Sequence, residues 1–263
     1  AGTETGMYVS YDYGASWNSF QLNLPIVPIT DLTIKDNSLI VATQGRSIWM
    51  LDDLTILHQL TKNTINEKFT LFKPKDSYRM QGGSRDTSLT TGTNLPNGVI
   101  VHYNVKDFDK AKDTVQLHFK DSEGILIKTF STFSNENPLK VKKGGNTFVW
   151  NTRYKGAERL KDMIFWSASF SGAKALPGNY SVSIEKNKLV KEQVFTVLPD
   201  PRSEVTVSEM KKQFDFVNKI NETVDKAHQG IKNIRIINHK LETFESTYGD
   251  LEKTKAIIEK VKS

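Results

Sequence analysis

Hydrophobic residues alternate with polar ones over much of this chain, and the alternation is clearest between Val99 and Leu198. Tyr180, Val182 and Ile184 are separated by Ser181 and Ser183, the period-two pattern of a half-buried strand. Pro177-Gly178 sets a turn just before that run, since Pro fixes φ and Gly accepts positive φ. Phe148 and Trp150 lie in another strand-like run, opened by Gly144-Gly145. The same reading predicts strands over 99–105, 114–120, 125–131, 147–152, 164–170, 179–185 and 191–198, with turns at 121–124 and 185–188. Short strands at this spacing predict a two-sheet β-sandwich of the immunoglobulin-like kind over 99–198.

The amino-terminal 1–60 segment also reads as β. Met7 to Val9, Trp17 to Leu22, Ile29 to Ile34, Leu39 to Thr43 and Ile48 to Leu51 are strand candidates, and Lys35-Asp36-Asn37-Ser38 makes a turn. Residues 61–98 read as a connector, with short β-segments near Phe69 and Tyr78 and a Gly-, Ser- and Thr-rich stretch from Gln81 to Asn97. Just before it, Asp52-Asp53-Leu54-Thr55 is placed to cap a short helix through Gln59. Two adjacent carboxylates also raise the possibility of glycoside hydrolysis. Neighbours on a strand point to opposite faces, however, while that mechanism needs two groups flanking one bond.

Beyond Leu198 the period changes. Pro199-Asp200-Pro201 ends the last strand. Thr206 and Glu209 form a capping box, with Val205 and Met210 at the positions of a hydrophobic staple. Met210, Phe214, Val217, Asn221, Val224, His228, Ile231, Ile234, Ile237, Leu241 and Phe244 then recur in steps of three or four. This predicts one long helix over 207–246, with Gly230 a point of kink or break. Gly249 is placed as its C-cap, and a second helix carries Leu251, Ile257, Ile258 and Val261. The expected tail, 199–263, is an antiparallel helical hairpin with self-association through 207–261, and Asn221 and His228 have two readings, residues at the stripe's edge or residues that set register.

Composition narrows the function classes. The chain has 263 residues, 37% hydrophobic, 25% charged, with a net charge of +6 and no cysteine. Disulfide and thiolate chemistry are excluded. Lysines are spread along the sequence rather than clustered, so a diffuse basic surface is expected instead of a nucleic-acid face. No apolar run reaches the roughly 18 residues of a membrane span. The five histidines make neither H-x-x-x-H nor H-E-x-x-H, and Walker A, G-x-G-x-x-G and G-x-S-x-G are missing. No catalytic residue, metal site or cofactor is therefore assigned. Trp150, Tyr154, Phe165, Trp166, Phe170 and Tyr180 form an aromatic-rich set with two readings, core packing or a sugar-stacking platform. Trp166 directly follows Phe165, so one of the pair faces outward, and Trp166 is the candidate ligand-surface residue.

Ser10-Tyr11-Asp12-Tyr13-Gly14-Ala15-Ser16-Trp17 matches S-x-D-x-G-x-[ST]-W over its whole length. This run resembles the Asp-box, or BNR repeat, of sialidases and sortilin-type β-propellers. The longer run from Leu39 to Asp53, LIVATQGRSIWMLDD, resembles the closing blade of bacterial sortilin-like, glycosyl-hydrolase-like proteins. The resemblance implies that Ser10, Asp12, Gly14, Ser16 and Trp17 staple a blade and lie away from any ligand face. A propeller takes roughly 4–8 blades of four strands, so residues 1–60 are expected to be a partial blade. The runs VQLHFKDSEGILIKTF, GGNTFVWNTR and LPGNYSVSI resemble the Ig-like domain of flagellar-hook-capping and secreted sorting proteins, where the module is a spacer or docking unit. The two resemblances together imply the carboxyl-terminal fragment of an exported, extracytoplasmic protein. Its partners would be the other domains of the parent and a glycan or protein ligand. A glycoside hydrolase whose active site lies upstream, with this chain as an accessory or carbohydrate-binding part, is the second implication.

Overall fold

The computed structural model describes every residue except 62, 63, 65, 81–93, 135, 136, 162, 164–168, 249–259 and 261–263. The chain is mainly β with one long helix near the carboxyl end. It divides into two compact units. The first comprises Ala1–Trp150 and Asn179–Thr196, the second Asn151–Gly178 and Val197–Ser263.

In the first unit, β1 (Gly2–Thr3), β2 (Gly6–Val9) and β3 (Asn18–Ser19) form a small antiparallel sheet. The predicted strand from Trp17 to Leu22 is shorter than expected, and Leu22 takes a left-handed φ of 47° three residues past its end. A second antiparallel sheet joins β4 (Ile29–Lys35), β5 (Ser38–Thr43) and β6 (Ile48–Leu51). Asp36 and Asn37 carry positive φ in the turn between β4 and β5, a conformation Asn and Asp tolerate. The helix α1 (Thr55–Gln59) follows.

Two larger sheets hold the main core. One runs in the order β12 (Gly144–Trp150), β9 (Val99–Val105), β7 (Phe69–Leu71). The other runs β11 (Leu126–Ser131), β10 (Val115–Lys120), β13 (Gly178–Lys186), β14 (Leu189–Leu198), β8 (Ser77–Tyr78). Both sheets therefore recruit a strand, β7 or β8, from the stretch that reads as a connector. Period-two patterning sets the inner faces. Val99, Val101, Tyr103 and Val105 are buried, whereas Ile100, His102 and Asn104 are not fully buried. Val115, Leu117 and Phe119 alternate in the same way.

Aromatic rings join the two sheets. Phe119 of β10 stacks on Trp150 of β12 at 4.6 Å between centroids, and Phe130 of β11 meets Phe148 of β12 at 4.5 Å. Trp150 meets Tyr180 edge-on at 6.0 Å, and Tyr180 stacks on Phe195. Each such pair contributes about 0.5–1.5 kcal/mol beyond the area it buries. Trp150 and Tyr180 thus take the core role among the two readings of the aromatic set.

The strand expected over 147–152 stops two residues early. Thr152, buried and β-branched, has φ of 57°, a conformation that ends a strand and is rare for such a residue. Of the strand expected over 164–170, residues 164–168 lie outside the described set, and Ser169 and Phe170 carry no strand.

The second unit is built on α2 (Val207–Tyr248), 42 residues long and about 60 Å from end to end at 1.5 Å per residue. Its start is the expected capping box. Glu209 Oε2 accepts from the Thr206 amide at 2.9 Å and from its hydroxyl at 2.7 Å, and the Glu209 amide donates to Thr206 Oγ1 at 3.3 Å. Gly230 does not break the helix, which is continuous through it. The C-cap at Gly249 and the second helix of the expected hairpin fall outside the described residues.

The expected apolar stripe is covered mainly in its first part, with Leu241 partly covered farther on. Met210 and His228 are buried, and Phe214, Val217, Asn221, Val224 and Ile231 are partly covered, but Ile234, Ile237 and Phe244 are at least 40% exposed. The reason is helical geometry. Three successive steps of three, from His228 through Ile231 and Ile234 to Ile237, each fall about 60° short of a full turn. The stripe therefore winds off the covered face.

Candidate functional site

The Asp-box residues come together in one turn between β2 and β3. Asp12 Oδ1 accepts from the Ser16 amide at 2.8 Å and from the Ser10 hydroxyl at 2.9 Å. Asp12 Oδ2 accepts from the Ser16 hydroxyl at 2.5 Å. Ser10 Oγ in turn accepts from the amides of Asp12 and Gly14, at 3.3 and 2.7 Å. The hydrogen bonds from the Ser16 hydroxyl and amide, then that from Ser10, hold the Asp12 carboxyl well below the usual aspartate range, at about 2. Gly14 supplies a φ of 92°, which only glycine adopts without strain. A carboxylate engaged on both oxygens and kept ionised stabilises a turn; general acid chemistry needs a raised pKa and an accessible proton.

The Trp17 ring lies over the turn, where a Cβ added at Gly14 would meet its Cζ2 at 3.8 Å, and its outer face is open to solvent. It is half exposed, as is Tyr11, and Tyr13 is fully exposed with φ of 58°. One hairpin therefore presents three aromatic side chains to solvent. Sequence reading singled out Trp166 for this role, and Trp166 lies outside the described residues. The signal for the hairpin was the spacing of Tyr11, Tyr13 and Trp17 around a turn, where side chains have no sheet to pack on.

Asp52 and Asp53 do not act as a pair. Asp53 Oδ1 accepts from the Thr55 amide at 2.9 Å and from Asn37 Nδ2 at 3.2 Å, which anchors the start of α1 to the β4–β5 turn. The N-cap position itself is Leu54. Asp52 contributes its main-chain oxygen, to the Ser38 hydroxyl at 2.9 Å.

Two histidines of the larger sheets each meet a threonine hydroxyl. His102 Nδ1 lies 3.0 Å from Thr147 Oγ1; burial lowers its pKa, with Asp53 opposing. His118 Nδ1 lies 3.0 Å from Thr129 Oγ1. Among the described residues no group of three or more His, Asp or Glu is arranged to hold a metal ion. Burial pushes the Tyr103 phenol up to about 12, and its hydroxyl has no partner among the described residues. No helix among them is long and apolar enough to cross a membrane.

A polar cluster that sequence reading missed lies in the second unit. Segment 151–178 folds back on itself: the Tyr154 amide donates to Ala173 O at 2.9 Å, and the Ala175 amide to Thr152 O at 2.6 Å. Its described residues then lie against α2 between Phe214 and Arg235. Tyr154 meets Phe214 edge-on at 4.8 Å, and Phe170 lies 6.0 Å from the His228 ring. The Glu158 amide donates to Asp225 Oδ1 at 2.7 Å, Lys232 pairs with the Glu158 carboxylate at 2.6 Å, and Arg235 donates to Lys161 O at 3.2 Å. His228 is thus an anchor to the chain's own segment and not a register residue for a partner helix. Comparison with protein-family models finds no match, and comparison with the curated proteins finds none either.

Proposed function

We propose that this chain is a non-catalytic structural and interaction portion of an exported BNR-repeat protein of the sortilin-like kind. In this reading residues 1–60 are a partial propeller blade, the two larger sheets are an immunoglobulin-like sandwich, and α2 belongs to a helical tail. The observation that carries it is the Asp12 turn, in which both carboxylate oxygens are used by Ser10 and Ser16 of the same hairpin.

Two further observations support it. The strand β5 is apolar on successive positions, Leu39 to Ala42, as in a strand covered on both faces. Yet Ile48 and Met50, which stand opposite Ala42 and Ile40 on β6, are 70% and 60% exposed. A sheet that is apolar on an uncovered face suits a blade awaiting its neighbour. In the larger sheets, the order β7-β9-β12 would suit strands A, B and E of an immunoglobulin-type sandwich and β11-β10-β13-β14 strands C′, C, F and G, with β8 an added edge strand beside β14.

The alternative, an accessory or carbohydrate-binding part of a glycoside hydrolase, is favoured by a different observation, the exposed Tyr11, Tyr13 and Trp17. Flat aromatic faces of this kind stack on sugar rings. One experiment separates the readings: a glycan array and a panel of aryl glycosides, run with the purified chain and with Tyr13→Ala, Trp17→Ala and Trp166→Ala. The structural reading expects neither binding nor turnover. Glycan binding lost in any of the three variants establishes the alternative, and turnover by the chain itself overturns both.

A further inference from the structure

Helix α2 carries a second apolar row, distinct from the stripe that segment 151–178 covers. Phe216, Ile220, Thr223, Ala227, Gly230, Ile234, Ile237 and Leu241 follow one another in strictly alternating steps of four and three. Each pair of steps spans seven residues, the heptad repeat of a left-handed coiled coil, which a straight helix of 3.6 residues per turn keeps in contact only by supercoiling. This row lies about 130° around the helix from Met210 and His228. Phe216, Ile220, Ile234 and Ile237 are between 46% and 64% exposed, and Leu241 is partly covered. Thr223 is not a polar interruption, because its hydroxyl donates to Lys219 O on its own helix at 2.8 Å. Open space surrounds Gly230, where an added Cβ would meet nothing within 4 Å. The small middle of the row, Thr223, Ala227 and Gly230, lets a second helix approach closely.

We propose that α2 pairs through this row with α2 of a second copy of the chain, as a parallel, in-register two-helix coiled coil. The period selects a helix as the occupant, since only a supercoiled helix keeps a 3.5-residue row in continuous contact. The flanking charges select the copy and its direction. Steps of three run from Ile220, Ala227 and Ile234, which places these at a and Phe216, Thr223, Gly230 and Ile237 at d. The g positions are then Lys219, Lys226, Asn233 and Lys240, and the e positions Val217, Val224, Ile231, Asn238 and Glu245. In a parallel pair each g residue faces the e′ residue five positions on. Lys219 and Lys226 then extend their aliphatic stems over the sides of Val224 and Ile231 that remain open, Asn233 faces Asn238, and Lys240 faces Glu245. An antiparallel pair would instead set the lysine row against itself. The inference is independent of the family reading above, because it uses nothing from residues 1–60 or from the larger sheets.

The test uses the whole chain. Sedimentation equilibrium over a concentration series should show a reversible monomer–dimer system, and Ile220→Glu with Ile234→Glu should abolish the dimer while far-ultraviolet dichroism is unchanged. The chain has no cysteine, so single cysteines report register cleanly. Ala227→Cys, an a position, should give a disulfide-linked dimer on mild oxidation, and Gln229→Cys, on the far side of the helix, should not. A wild-type chain that stays monomeric at every concentration overturns the proposal. So does a dimer that survives the double substitution, or equal cross-linking at 227 and 229. Flotation of the monomer with phosphatidylserine–phosphatidylcholine vesicles, lost in the double variant, would assign the row to a membrane surface instead.

Discussion

His228 Nδ1 stands 2.6 Å from the main-chain oxygen of Glu158, across 70 positions of sequence. A carbonyl only accepts, so Nδ1 carries the hydrogen and donates it. The ring is buried on α2 with Phe170 on one side. His228→Ala removes the donor from the Glu158 carbonyl and leaves a void beside Phe170, and the two effects together should cost about 2–4 kcal/mol. His228→Asn keeps a donor near the position of Nδ1 and should recover part of that loss. Urea unfolding followed by helical dichroism, with amide exchange along Met210 to Ile231, measures both. An alanine variant within about 0.5 kcal/mol of the parent, the range of an ordinary surface substitution, would remove His228 from its anchoring role.

Asp12 gives a pH dependence with a defined sign. Its pKa is lowered in the folded hairpin to about 2, against about 3.9 for an unstructured aspartate. A group depressed on folding contributes stability above the unfolded value and loses it as pH falls through the folded one. The hairpin's amide network should therefore be intact above pH 4 and should loosen as pH falls toward 2. Titration of the Ser16 amide shift by NMR should give a midpoint of about 2. A midpoint at the ordinary aspartate value would mean that the Ser10 and Ser16 contacts do not persist in solution. Asp12→Asn should open the Ser16 and Gly14 amides to exchange and leave Leu117 and Val182 protected.

Local and periodic features were legible in the sequence. The Thr206–Glu209 capping box, the alternation of Tyr180, Val182 and Ile184, and the turn at Asp121 to Gly124 each depend on residues within a few positions of one another. The rest depends on pairing across long separations. Nothing in Phe69–Leu71 states that it will join β9, because three buried residues have no period of their own. Segment 151–178 has no repeat either; its form comes from main-chain hydrogen bonds between Thr152–Tyr154 and Ala173–Ala175. On α2 the steps of three and four admit two paths along the helix. Only the cover supplied by Tyr154, Glu158 and Phe170 tells which residues form the inner face and which are left outside. Of the Asp-box, the turn geometry followed from residue types, whereas the exposure of Trp17 did not, since it depends on what the small sheet packs against.

Two glycines of the second unit make opposite predictions. At Gly156 an added Cβ would overlap the Phe170 carbonyl oxygen and crowd the Gly172 amide. These are main-chain atoms of the fold-back in segment 151–178, and they cannot swing aside as a flexible side chain would. Gly156→Ala should therefore separate the two halves of the segment, uncover Phe214 and His228, and destabilise the unit by several times the cost of an ordinary substitution, which is about 1 kcal/mol. In the single chain Gly230 is helical and faces open space, so at concentrations where the chain is monomeric Gly230→Ala should stabilise α2 by about 0.5–1 kcal/mol through the reduced freedom of the unfolded chain. Thermal melts of the two variants, with amide exchange to localise each effect, check the pair. Equal and small changes would mean that the 151–178 fold-back does not bear on α2. A Gly230→Ala variant that is less stable than the parent at those concentrations would mean instead that the helix is interrupted there in solution, and the continuous row from Phe216 to Leu241 would be lost with it.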